Sequence, residues 1–361
     1  MRLSTLGSAL VGLTVAQAST ISTTINYSAV TGYFLQDEAS TDASTFDYTA
    51  ENFGLINRTY PADKDHKKHE SLTQWERFYN QVTKLNEQSS KNVEYKVLFL
   101  GRHGEGWHNA AETYYGTPAW NCYWAELTGN ETATWADANL TSNGVAQALK
   151  ANAFWKKEIK EQRIHTPDNY YVSPLTRTLQ TANLTFTDLA LPKNSAAFKP
   201  TIKEFFREGI SIHTCDHRRS RTYIHKLFPH WTIEAGFTEE DELWNGVTGE
   251  SSGAEDIRSA QALGEVFFSS SSKENSFVSV TSHSGEIASI LRVLGHRTFS
   301  LSTGAVIPVL VKAEKVRSKA TATSVAWDVG AHCTEPPVAS VTACVCPSSA
   351  VPVATALATG F

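Results

Sequence analysis

The sequence predicts an α/β domain whose largely parallel sheet is covered by helices on both faces. Three observations carry this. Short apolar runs rich in strand formers alternate with stretches of helical periodicity along most of the 361 residues. The run Val97-Leu98-Phe99-Leu100 is apolar throughout, as suits a strand buried on both sides. Hydrophobic residues make up 41% of the chain, enough for a sizeable core in one large domain or two small ones.

In order along the chain, Arg2, the apolar stretch 3–15 and Ala16-Gln17-Ala18 read as a secretory signal peptide over 1–18. Residues 19–50, rich in Ser, Thr and Asp, read as a leader draped over the domain. Leu72, Trp75, Phe78, Tyr79, Val82 and Leu85 give a helix over 71–89, and a strand follows over 93–101. The stretch 105–139, with Trp107, Trp120, Trp124 and Trp135, reads as a long functional loop whose tryptophans either line a cleft or anchor it. Beyond it come a helix (143–162), a strand (169–172), a helix (174–189), a strand (201–206) and a helix (216–227). A helix (252–269), a strand (277–282), a helix (286–294) and a last apolar strand (306–311) complete the pattern. Glu239-Glu240-Asp241-Glu242 reads as a solvated face. Residues 331–361 shift to Ala, Val, Pro, Ser and Thr with three cysteines and read as an appended tail.

A net charge of −5 disfavours a nucleic-acid binder. No apolar stretch is long enough to span a membrane as a helix. Sequons at Asn26, Asn57, Asn130, Asn139 and Asn183 join the signal in favouring a secreted glycoprotein. Five cysteines leave at least one unpaired within the chain. Cys344 and Cys346 are too close for easy mutual bridging, so Cys333 is the expected partner of one of them. The spacing matches no zinc pattern, and no metal site or cofactor is expected.

The chemistry gathers at strand ends, where open sheets bind ligands. The first strand delivers Arg102-His103-Gly104, with Gly104 and Gly106 allowing close backbone approach. The second delivers Ser173-Pro174-Leu175-Thr176-Arg177, with Arg177 in the first turn of a helix. The third ends at Arg207-Glu208-Gly209, and the fourth delivers Ser282-His283-Ser284-Gly285 before another helix. Two histidines, two arginines, a carboxylate and two helix starts fit phosphoryl transfer through a covalent phosphohistidine. The imidazole attacks, fixed cations hold the oxygens, and the carboxyl group moves the proton.

At this point the chain resembles a known group. Arg102-His103-Gly104 with Asn109, Leu140-Thr141-Ser142-Asn143-Gly144-Val145-Ala146-Gln147-Ala148, Ser173 to Ala182, and Ser282-His283 resemble the histidine phosphatase superfamily. They are most similar to its phosphoglycerate mutase-like branch, over roughly residues 93–312. Residues 214–219 and 303–310 resemble fungal phosphomutase-like proteins. The resemblance implies a three-layer α/β/α sandwich over 19–330 and makes His103 the phosphorylated nucleophile. It places Arg102, Arg177 and His283 in the phosphate pocket, Asn109 beside them, and Glu208 as general acid/base. Arg218 and Arg219 are candidates to approach the substrate.

Two departures bear on activity. Gly209 stands where phosphoglycerate mutases of this branch carry an arginine, and Ser284 separates His283 from Gly285. A phytase-like branch has His-Asp where this chain has His283-Ser284. The expected function is a secreted, metal-independent phosphomonoester hydrolase. Its rivals are a phosphoglycerate-type mutase and a non-catalytic secreted binding protein on the same fold. The intact set of His103, Arg102, Arg177, Glu208 and His283 argues against the binding protein.

Overall fold

The structure, a computed structural model, describes residues 21–65, 71–193, 195–268, 274–319, 326–330, 332–338 and 343–347. The expected signal peptide lies outside them. Strand β2 (Val93–Arg102) sits inside a seven-stranded sheet and shows why its residues form a strand. Val97 and Phe99 face one layer, while Leu98 and Leu100 face the other. On the first side lie helix α1 (Gln74–Gln88), with Trp75, Phe78 and Val82, and helix α4 (Ser142–Glu161), with Phe154 and Trp155. On the second lie α7 (Ser252–Val266) and α8 (Ser284–Val293), through Leu263, Val266, Ile287 and Ile290. Helix α5 (Thr176–Phe186) packs beside α4. This is the three-layer α/β/α sandwich.

The sheet order is β1 (Ile21–Ala29), β8 (Val306–Lys319), β2, β7 (Phe277–Ser282), β3 (Asn169–Val172), β4 (Thr201–Ile202), β5 (Thr232–Ile233). The block β2, β7, β3, β4 and β5 is parallel. Strand β8 runs antiparallel to β2.

Four local readings are corrected. The leader is not simply draped, because its first part is edge strand β1 (Ile21–Ala29), antiparallel to β8. Ile25, Tyr27 and Ala29 pack against the core, and Phe34, Tyr48, Phe53 and Leu55 further along are buried. The strand expected over 201–206 is two residues long and turns into a 3-10 helix at Glu204–Phe206. The helix expected from 216 starts only at Arg221. The stretch 105–139 holds helices α2 (Trp107–Tyr115) and α3 (Thr117–Cys122).

The short helix α6 (Arg221–Leu227) follows, and β6 (Thr248–Glu250) pairs with β9 (Trp327–Val329). The described part of the tail is bridged back onto α3 by Cys122–Cys344, and Cys333 joins Cys346. Cys215 is free and buried. No helix among the described residues is long and apolar enough to cross a membrane.

Candidate active site

The site forms where β2, β7 and β3 end side by side. Arg102 lies opposite Ser282, and Val172 opposite Thr281. The next residues, His103, His283 and Ser173, therefore share one rim. His103 N–H donates to the Ser282 carbonyl at 3.0 Å, and Ser173 N–H to that of Thr281 at 3.0 Å.

His103 is 1% exposed. Its Nδ1 lies 2.7 Å from the Gly104 carbonyl oxygen. A carbonyl only accepts, so Nδ1 carries the proton and Nε2 keeps its lone pair. Burial, then the charges of Arg177 and Arg102, hold the ring neutral well below the usual histidine range. His283, whose ring centre lies 5.1 Å from that of His103, is held neutral by burial and Arg177. Its Nδ1 accepts from Arg177 Nε at 3.3 Å, which puts its own proton on Nε2, 2.7 Å from Ser173 Oγ.

Arg177, second residue of α5, is fully buried. Its Nη1 donates to the Cys215 carbonyl at 2.6 Å, and Nη2 lies 3.5 Å from Asp216 Oδ1. Asp137 caps the same helix by accepting from the Thr176 N–H at 2.8 Å and the Thr176 hydroxyl at 2.6 Å. Arg102 donates Nη1 to the Leu301 carbonyl at 2.8 Å, while its Nε is buried with no partner among the described residues. Two guanidinium groups and two neutral imidazoles thus line one recess, an arrangement that attracts an anion.

Glu208 closes the other side. Its Oε1 accepts from Gly209 N–H and Glu286 N–H, each at 3.1 Å, so it caps the first turn of α8. Among the described residues Oε2 has only a 3.5 Å contact from Ser284 Oγ. Burial, then the charge of Asp216, raises the carboxyl group's pKa against the pull of Arg177 and the two N–H donors. That favours a protonated form, as a proton donor requires.

The motifs around the recess hold it in shape. Gly104 N–H donates to Thr181 Oγ1 at 2.9 Å, and Glu105 N–H to Gln147 Oε1 at 2.7 Å. The Glu105 carboxylate accepts from Thr141 at 2.6 Å and Asn143 at 3.1 Å. A Cβ on Gly104 would overlap the Gly144 backbone carbonyl, so this close approach of two main chains needs glycine. Asn109 uses its amide oxygen to accept from Gly106 N–H at 3.0 Å.

The structure does not bring every candidate to the recess. Arg218 is 2% exposed, with Nε on Glu204 at 2.7 Å, Nη2 on Thr238 and Glu240, and its guanidinium 4.1 Å from the Phe237 ring. It is held by these partners away from the two histidines. Arg219 lies at the Asp137 cap, 3.9 Å from its carboxylate, and is partly exposed. The acidic run is not a simple solvated face either, because the Asp241 side chain is buried and grips Arg207 through both oxygens at 2.8 and 2.7 Å.

Sequence reasoning missed three residues. His108 is buried with its ring 5.3 Å from that of His103. Asp216 links Arg177 to the Glu208 side, and Glu255 lies behind Gly209. His108 lies in the first turn of α2, directly after the Arg-His-Gly turn, and Asp216 lies in the 214–219 motif, so both left a usable signal; Glu255 left none. Of the four tryptophans, Trp107 and Trp135 line a cavity of about 570 Å3 with Ala110, Tyr114 and Tyr115, on the helix that also carries His108. His213, Cys215 and Asp216 lie close enough to share a cation. Asp216, however, is engaged by Arg177 and Ser211, and burial pushes the Cys215 thiol up, away from the thiolate.

The fold and recess define a phosphoryl-transfer enzyme of the histidine type. Residues 123–305 match the histidine phosphatase superfamily (branch 1), and the chain belongs to that superfamily. The matched stretch holds Arg177, Glu208 and His283, and His103 precedes it. The chain is 48% identical to a probable phosphoglycerate mutase of Arthroderma benhamiae, over 80% of this chain and 85% of that one. It is 36% identical to phosphomutase-like protein 3 of Candida albicans, over 88% and 90%. It is 32% identical to a probable phosphoglycerate mutase of Saccharomyces cerevisiae, over 79% and 95%.

Proposed function

We propose that this protein is a secreted, metal-independent phosphomonoester hydrolase that works through a phosphohistidine on His103. The observation that carries the reading is the fixed tautomer of His103. Its Nδ1 is tied to the Gly104 carbonyl, which leaves a neutral Nε2 as nucleophile in a recess walled by Arg102, Arg177 and His283.

In the first step Nε2 attacks phosphorus, the P–O ester bond breaks, and Glu208 gives its proton to the departing oxygen. The arginines hold the charge on the equatorial oxygens. In the second step water attacks phosphorus, the P–N bond breaks, inorganic phosphate leaves, and Glu208 takes the proton from water. The carboxyl group ends as it began.

A mutase must instead hold a phosphorylated sugar acid against water, which needs cations for the carboxylate. Gly209 supplies none, Arg218 is committed to Glu204, and the group facing Gly209 is the acid Glu255. This supports hydrolysis, although two of the fungal relatives carry the name phosphoglycerate mutase. Release of inorganic phosphate from a panel of monoesters should outpace interconversion of 2- and 3-phosphoglycerate. Faster interconversion than release would assign the chain as a mutase.

Secretion is part of the proposal. Of the sequon asparagines, Asn26, Asn57, Asn130 and Asn139 are exposed and Asn183 is partly exposed, so the glycan acceptors are accessible. The mass of the mature chain before and after glycan removal should give an N-terminus at residue 19 and sugar at several sites. An unglycosylated chain beginning at Met1 would reverse this.

A further inference from the structure

Glu255 is 8% exposed and lies in the first turn of α7, beside Gly209. Its Oε2 bonds Arg292 at 3.2 Å. Among the described residues its Oε1 is buried with no hydrogen-bond partner, and Arg258 Nη2 lies 3.9 Å away. A Cβ placed on Gly209 would meet Glu255 Oε1 at 2.9 Å. A Cβ placed on Gly285 would overlap Glu208 Oε1 and meet Glu255 Oε1 at 3.2 Å. Two glycines therefore leave open the narrow space across which the two carboxyl groups face each other.

We propose that Glu255 is a positioning residue for the proton donor: across Gly209 and Gly285 it forms with Glu208 a pair of carboxyl groups that retains one proton until the leaving oxygen takes it. The inference rests on the acid/base reading of Glu208. Two carboxylates this close repel, so removing the first proton from the pair is easy and removing the second is hard.

The surrounding charges are divided. Arg258 and Arg292 face Glu255, with Glu250 on β6, Asp256 on its own helix and Glu286 on α8 nearby. Asp216, Arg177 and Arg102 face Glu208. The cations on either side draw a proton off and the acids between them hold it on. Burial, then the Glu208 charge, raises Glu255 to about 7. Burial, then the charge of Asp216, raises Glu208 as well, so the pair keeps a proton toward the neutral range.

The test is the pH dependence of kcat/KM for an alkyl phosphate (glycerol 2-phosphate) and for 4-nitrophenyl phosphate, in Glu255→Gln and Glu255→Ala, with Glu208→Gln in parallel. Losing the Glu255 charge lowers the pH at which Glu208 gives up its proton. The alkaline limb for glycerol 2-phosphate should therefore move down by about one pH unit in both Glu255 variants, a roughly tenfold loss on that limb. The limb for 4-nitrophenyl phosphate, whose oxygen departs without a proton, should move less. An unmoved glycerol 2-phosphate limb in a folded Glu255→Gln protein, beside a crippled Glu208→Gln, would overturn this inference alone. Undiminished alkyl phosphate turnover in Glu208→Gln would overturn the acid/base reading beneath it.

Discussion

The two walls of the site are built by opposite rules. The phosphate wall is cationic and local: Arg102, His103, Arg177 and His283 each sit within a few residues of a strand end, and neighbouring strands bring them together. The leaving-group wall is acidic and assembled from afar: Glu208 from the β4 side, Asp216 from a 3-10 turn, Glu255 from α7. The difference matches what each wall must do. An anion is held by cations that never titrate, whereas a proton is held by a carboxyl group whose neighbours make its ionisation costly. Arg177 joins the walls, since it donates to His283 on one side and meets Asp216 on the other.

The comparison breaks most sharply at His103. His103→Ala should abolish hydrolysis of every monoester, a loss of at least about a thousandfold. A rapid acid-free quench should trap labelled phosphate on the parent protein and none on the variant. Turnover in His103→Ala close to the parent's would leave the phosphate wall without its nucleophile.

On the acidic wall the expected effect depends on the substrate. Glu208→Gln should cost about 10²–10⁴-fold on glycerol 2-phosphate and far less on 4-nitrophenyl phosphate. Equal losses would mean that the carboxyl group only caps α8. Arg177→Gln should cost about 10²–10³-fold on both substrates, because the equatorial charge is the same for each. It also removes a cation that favours ionised Glu208, so its alkaline limb should sit higher than the parent's. A limb that moved down would separate the two walls.

Arg218→Met tests a residue outside both walls. Breaking its buried pair with Glu204 should cost about 3–5 kcal/mol of stability in a denaturant titration. Activity per folded molecule should stay close to that of the parent. A selective rise in KM with unchanged stability would return Arg218 to the substrate.

What the sequence made legible follows the same division. Most of β2 was readable because a strand buried on both faces is an apolar run, and the strands over 169–172 and 277–282 because Tyr170, Tyr171, Val172, Phe277, Val278 and Val280 are strand-forming residues. The phosphate wall was readable because each of its groups adjoins such a strand. Strand β1 was missed although Ile21, Thr23, Ile25, Tyr27 and Ala29 alternate with Ser22, Thr24, Asn26 and Ser28, since hydroxyl residues mask the period. The short β4 was overextended because apolar Phe205 and Phe206 continue the run, while Glu204 and Arg207 pull the chain into a turn by their own ion pair. Asp241 and Arg218 read as solvent or substrate groups, because a charge buried against a distant partner leaves no local mark. Glu255 was illegible for the same reason.

The smallest effect expected concerns acid pH. An ordinary histidine nucleophile with a pKa near 6.5 would lose most of its neutral form between pH 7 and 5. His103 is buried between Arg177 and Arg102, and both burial and those charges penalise the imidazolium form, so its pKa in the folded protein lies well below that value. The sign follows: the nucleophile stays neutral as pH falls through 6.5 and is protonated only at much lower pH. His283 and His108 are displaced in the same direction, by burial first and Arg177 second, so no ring in the recess should titrate in this window. With 4-nitrophenyl phosphate, which makes little demand on Glu208, single-turnover formation of the phosphoenzyme should therefore change by no more than about twofold between pH 7 and 5. The measurement needs correction for the second ionisation of the substrate itself. A tenfold fall that remains after this correction would mean that His103 takes up a proton near pH 6.5, and that the cationic wall does not control its own nucleophile.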